Sequence, residues 1–60
     1  MVTLNKVYIL RGMSRHYLVA EFSNDRFVHI LLHNPLSPSS IADGLRHMAD
    51  DIDARKGELS

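Results

Sequence analysis

The stretch YLVAEFSNDRFVHILL, residues 17–32, decides the fold. Two apolar runs, one from Tyr17 to Phe22 and one from Phe27 to Leu32, flank a polar break at Asn24-Asp25. Asn and Asp tolerate left-handed turn geometry, so the pattern predicts an antiparallel hairpin. A hairpin with one wet face should alternate apolar and polar residues, because successive side chains point to opposite faces. This one barely alternates. A single short helix covers one sheet face, so the second apolar face is expected to meet a partner chain.

Upstream, Leu4–Arg11 reads as a first strand, rich in Val7, Tyr8, Ile9 and Leu10. Residues 12–15 (GMSR) form the turn into the hairpin, with Gly12 available for a positive φ. Downstream, Asn34-Pro35 ends the third strand, since proline cannot donate to a ladder and restricts the residue before it. Ser37 then suits a helix N-cap and Pro38 the first helical position, where its missing N–H costs nothing. Ile41, Leu45, Met48, Ala49 and Ile52 recur at helical spacing as one apolar stripe, with Asp43, Arg46, His47, Asp50 and Asp53 opposite. Gly44 interrupts the helix at the edge of that stripe, and Gly57 is expected to stop it. The fold class is α+β: a three-stranded antiparallel meander followed by one C-terminal amphipathic helix packed on one sheet face, a single small βββα domain over residues 1–60.

A tight two-residue turn at Asn24-Asp25 pairs Phe22 with Phe27, Ala20 with His29 and Leu18 with Leu31. A turn over residues 12–15 pairs Ile9 with Leu18, Val7 with Ala20 and Lys6 with Glu21, an opposite-charge match that supports the register. One face then holds Val7, Ile9, Leu18, Ala20, Phe22, Phe27 and Leu31, and is expected to dock the helix. The other holds Leu4, Tyr8, Leu10, Tyr17, Val19, Val28, Ile30 and Leu32, with Lys6 and Glu21 toward one end. Of these, Tyr8, Leu10, Tyr17, Val19, Val28, Ile30 and Leu32 form the expected homodimer interface.

Sixty residues are enough for one domain, but a chain this short buries only about 60% of its unfolded surface. Stability at this size normally draws on disulfides, a metal or oligomerisation. Cysteine is absent, which excludes disulfides and thiolate metal sites. No apolar run approaches the length of a membrane span, and MVTLNKVYIL has neither the basic region nor the cleavage site of a signal peptide. A soluble, cytoplasmic protein is expected. Formal net charge is zero but unevenly divided: residues 1–36 carry Lys6, Arg11, Arg15 and Arg26 against Glu21 and Asp25, and the helical part is net acidic. General nucleic-acid coating needs a stronger basic surface than this.

Candidate chemistry is sparse. Arg11, His16 and His33 are expected in one row on the helix-bearing face, near the helix start and Ser39. Free N–H groups at a helix start attract anions, so Arg11, His16, His33 and Ser39 form a possible anion site. His29 and His33 are four apart on a strand, too far to share one metal ion, so no metal or cofactor is expected. His29 reads instead as a histidine at the edge of the core. Asp43, His47, Asp50 and Asp51 lie on an outer helix surface, where no pocket perturbs them for acid–base work. Gly-rich phosphate loops and nucleophile elbows are lacking, and no enzymatic activity is expected.

The order of three antiparallel strands and one helix is similar to plant-type sheet-reading DNA-binding domains, phage integrase arm-binding domains and some antitoxins. Those DNA readers carry Arg and Trp on the exposed sheet face, whereas this chain is expected to place Val19, Val28, Ile30 and Leu32 there and has no Trp. The leading expectation is therefore a small non-enzymatic interaction module, a homodimer that regulates or inhibits another macromolecule, in the manner of small phage- or mobile-element-encoded proteins. Hot-spot chemistry favours Met and Arg, so Met13, Arg15 and His16 in the first turn are the expected partner-binding residues. The alternative is a dimeric nucleic-acid-binding regulator using its basic turns, Arg11, Arg15, His16 and Arg26.

Overall fold

Leu, Val, Ile and Tyr in the first half of the chain favour a pleated, half-buried surface. They form three strands in the computed structural model, which describes residues 1–59. Strand β1 spans Leu4–Arg11, β2 His16–Phe22 and β3 Phe27–Leu32; helix α1 spans Pro38–Ala54 and a last turn, α2, spans Lys56–Leu59. The strands form one open antiparallel sheet in the order β1-β2-β3, and α1 packs across it, chiefly over β3 and the adjoining part of β2. This is the α+β, βββα layout that the sequence predicts. The Cα dimensions are 36 × 20 × 14 Å, and the short axis holds one sheet and one helix layer.

The β1–β2 register is as expected, with Lys6 opposite Glu21, Val7 opposite Ala20 and Ile9 opposite Leu18. A bulge between Leu4 and Lys6 sets Leu4 opposite Phe22, on the helix side rather than the open side. The β2–β3 register differs from expectation by one residue: Glu21 opposes Phe27, Ala20 opposes Val28, Val19 opposes His29, Leu18 opposes Ile30 and Tyr17 opposes Leu31. The turn explains the difference. Phe22 N–H donates to Arg26 O at 2.9 Å, Asp25 N–H donates to Phe22 O at 3.1 Å, and Asp25 has φ 64°. The loop is thus Ser23-Asn24-Asp25, a turn closed by a left-handed residue, and three loop residues shift the pairing by one relative to two.

That shift exchanges the faces of β3. Val28 and Leu32 are fully buried with Leu18, Ala20, Met48 and Leu59, and Ile9, Phe22, Ile30, Leu36 and Ile52 pack around them. Val28, Ile30 and Leu32 therefore belong to the helix-side core and not to the open face. Phe27, His29 and Leu31 take their places outside.

At the helix start, the Ser37 hydroxyl accepts from Ser40 N–H at 3.1 Å and the Ser40 hydroxyl accepts from Ser37 N–H at 2.9 Å. This reciprocal cap, with Pro38 in the first turn, satisfies donors that the helix cannot. The buried line of α1 is Ser40, Gly44 and Met48, not the expected stripe through Leu45 and Ala49. Leu45 is 47% exposed. The cause is Gly44: a Cβ there would overlap Leu32 Cδ2, so the helix backbone itself rests on Leu32. With Gly44 turned to the sheet, Leu45 is carried about 100° around the helix to its flank.

Two further expectations about glycines are corrected. No glycine has a positive φ, so Gly12 does not use that freedom, and Gly57 lies inside α2 instead of stopping α1. Arg55 is the α1 C-cap. Its guanidinium donates to Glu58 and Asp51, both at 3.2 Å, and these acceptors, Glu58 foremost, raise its pKa above the ordinary value. α2 folds back so that Leu59 plugs the core, and Asn24 Nδ2 donates to Leu59 O at 3.0 Å.

Candidate functional site on the uncovered sheet face

The face away from α1 is a three-by-three array, because residues directly opposite each other share a face. Its first row is Leu10, Tyr17 and Leu31; its second is Tyr8, Val19 and His29; its third is Lys6, Glu21 and Phe27. Val19, at the centre of the array, is only 1% exposed although no helix covers it. Around it stand Leu10 at 51%, Leu31 at 53% and Phe27 at 42% exposure. Single exposed leucines are normal on a surface; here Leu10, Leu31 and Phe27 stand exposed in one contiguous array.

Charge is confined to the third row. Lys6 Nζ lies 3.6 Å from Glu21 Oε2 and 5.1 Å from the centre of the Tyr8 ring. Phe27 and His29 stack with ring centres 6.1 Å apart and planes 25° apart. The histidine therefore rests on an aromatic ring on the outside, not at the edge of the helix-side core. Rows one and two hold only Leu, Tyr, Val and His.

The other expected site residues scatter. In the row Arg11–His16–Leu32, leucine occupies the place expected for His33. His16 Nδ1 pairs with Asn34 Oδ1 at 3.1 Å while Asn34 Nδ2 donates to Ser14 O at 2.9 Å, so His16 and Asn34 tie the first turn to the helix-entry loop. His33 Nε2 lies 3.9 Å from Asp43 Oδ2, and His47 Nδ1 is 3.8 Å from the same oxygen. A carboxylate thus sits where the anion pocket would need positive charge, and the Ser37–Ser40 pair already occupies donors at the helix start. Ser39 is exposed on the first turn of α1. These four residues do not build an anion site.

Met13 and Arg15 are exposed in the first turn. Arg11 and Arg15 at one end of the sheet and Arg26 at the other are separated by the length of β2, about 24 Å at the usual rise. The basic turns do not merge into one phosphate-binding surface. Among the described residues, no group of three or more His, Asp or Glu side chains is arranged to hold a metal ion. A shallow cavity of about 150 Å³ lies between Val2, Phe22, Ile52, Lys56 and Leu59, well below the roughly 300 Å³ at which small-molecule sites begin. None of the described helices is long and apolar enough to cross a membrane.

The chain matches no protein-family model, no curated protein and no solved structure.

Proposed function

We propose that this protein is a small non-enzymatic protein-binding module, a homodimeric regulator or inhibitor that acts by covering a surface of another macromolecule. The observation that carries this reading is the open sheet face: two rows of apolar and aromatic side chains around a desolvated Val19, with charge held to one margin. Protein interfaces have this composition, an apolar and aromatic centre with a polar rim. The exposed Met13 and Arg15 beside that face add the residue types enriched at interface hot spots. A nucleic-acid partner is less well supported, because the basic residues lie at opposite ends of the sheet. The half-buried Asp43 and the exposed His33 and His47 do not line the cavity described above, which favours binding over catalysis.

The test compares tagged wild-type protein with a Leu10→Glu/Leu31→Glu variant, both checked for fold by circular dichroism. Both leucines are half-exposed, so the variant is expected to fold. Sedimentation should show self-association for the wild type only, and capture of a protein from host extract should be weakened by Met13→Ala, which leaves the open face intact. If variant and wild type sediment alike, the open face is not the self-association surface.

A further inference from the structure

We propose that two copies of this chain pack open face to open face about a two-fold axis that runs across the strands, between the first and second rows of the array. This rests on the reading of the open face as the self-association surface and goes beyond it by fixing the arrangement. Each strand then crosses its own counterpart antiparallel. Leu10 meets the partner's Tyr8, Tyr17 meets the partner's Val19, and Leu31 meets the partner's His29.

The charge pattern selects this axis. A two-fold axis along β2 would set Glu21 against its own copy in the interior of the interface, since Glu21 is the central member of its row. Like charges directly apposed and desolvated are strongly unfavourable. An axis across the strands through Val19 would lay Lys6 and Glu21 over Leu10 and Tyr17 of the partner. Moving that axis by half a row gathers the two apolar rows in the centre and leaves the Lys6–Glu21 row at the rim. There the row lies beneath the partner's first turn, which carries Arg15, and Arg15 has no ion-pair partner among the described residues. The only carboxylate of the face thus meets an unpaired cation.

Stability favours a second copy as the occupant. A core with six fully buried apolar residues is small for an isolated domain, and oligomerisation is the supplement open to a chain without cysteine. Its cover must therefore be available whenever the chain folds, as a copy of itself is.

The experiment uses the absence of native cysteine. Leu31→Cys protein is mixed either with His29→Cys or with Leu10→Cys protein and treated with a short bis-maleimide at micromolar concentration. The arrangement requires preferential 31–29 linkage; preferential 31–10 linkage marks the axis along the strands and overturns it. Alongside, sedimentation equilibrium follows Glu21→Arg, Arg15→Glu and the double charge exchange. Each single variant should weaken the dimer about two- to fivefold and the double should recover it, whereas failure of recovery removes the rim pairing. Leu45→Glu, on the helix flank, should leave the dimer intact. A dimer that survives Leu31→Glu but not Leu45→Glu overturns the open-face reading itself, and a well-folded wild-type monomer at 100-fold higher concentration overturns self-association altogether.

Discussion

Replacing Gly44 with Ala ought to stabilise an ordinary helix interior by about 1 kcal/mol, the difference in propensity between the two residues. Here the structure demands the opposite sign. A Cβ at this position would overlap Leu32 Cδ2 and stand 3.8 Å from Leu18 Cδ2. Leu32 is 2% exposed and Leu18 3%, so neither methyl has solvent to move into. Relief requires either a new Leu32 rotamer inside a closed core or a lift of α1 off β3. Inserting a carbon into a filled core costs about 1–3 kcal/mol, and at a site this close the upper half of that range applies. Subtracting the propensity gain leaves about 1–2 kcal/mol of net destabilisation, which at this chain length lowers Tm by about 8–16 °C. Gly57→Ala is the matched control: it lies in α2 with nothing within 4 Å of its would-be Cβ, and should hold or raise Tm. Thermal denaturation by circular dichroism at one fixed protein concentration measures both. A Gly44→Ala protein at or above the wild-type Tm would refute the claim that α1 rests on Leu32 through its backbone.

Ser37→Ala removes one half of the reciprocal cap at the start of α1 and should cost about 1 kcal/mol in urea denaturation. Asn34→Ala breaks the contacts to His16 and Ser14 together; because both are exposed, the loss should stay near 1 kcal/mol, with greater proteolytic sensitivity at residues 12–15. Asp25 closes the hairpin loop with φ 64°, a conformation that β-branched residues resist, so Asp25→Val should cost about 1–3 kcal/mol while Asp25→Gly keeps stability near that of the wild type. Equal stability of the two variants in urea denaturation would show that the left-handed residue does not set the turn.

How much of this was legible in the sequence depends on the range of the interaction concerned. The cap at Ser37 and Pro38 depends on neighbours within four residues and was fully readable. The β1–β2 register followed from a turn of fixed length and from Lys6 opposite Glu21. The β2–β3 register did not, because Ser23-Asn24-Asp25 supports either a two- or a three-residue loop and both faces of the hairpin are apolar. One signal favoured the observed pairing: it places Val28, Ile30 and Leu32 inside and sends the polar His29 outside. The rotation of α1 was hidden for another reason. Ser40 and Gly44 carry little apolar weight, so periodicity points to Leu45, while backbone contact at a glycine decides the packing. The ties from Asn34 to the first turn and from Asn24 to Leu59 join residues 18 to 35 apart and leave no local trace. The anion pocket failed with the register, since it needed His33 in a row that Leu32 fills.

The close approach of Gly44 to Leu32 also determines which strand is weakest. It draws α1 over β3 and leaves the helix side of β1 with little cover, so that Val7 is 42% exposed there. On the other side of the same strand, Leu10 is 51% exposed and Tyr8 half-buried. β1 is thus an edge strand with exposed apolar residues on both faces, held by its ladder to β2, by the packing of Ile9 against the core and by the Thr3–Ser23 bonds at its start. Such a strand should open by sub-global unfolding before the β2–β3–α1 unit does. Amide hydrogen exchange distinguishes the two: β1 amides bonded to β2 should open at a free energy at least about 1 kcal/mol below that of the β2 amides bonded to β3. A second copy seated on the open face shields Tyr8 and Leu10 but not Val7, so the gap should narrow as protein concentration rises through the dimer Kd without closing. Equal protection of both ladders in dilute solution would mean that β1 belongs to the same cooperative unit as the core, and that the offset of α1 has no energetic consequence.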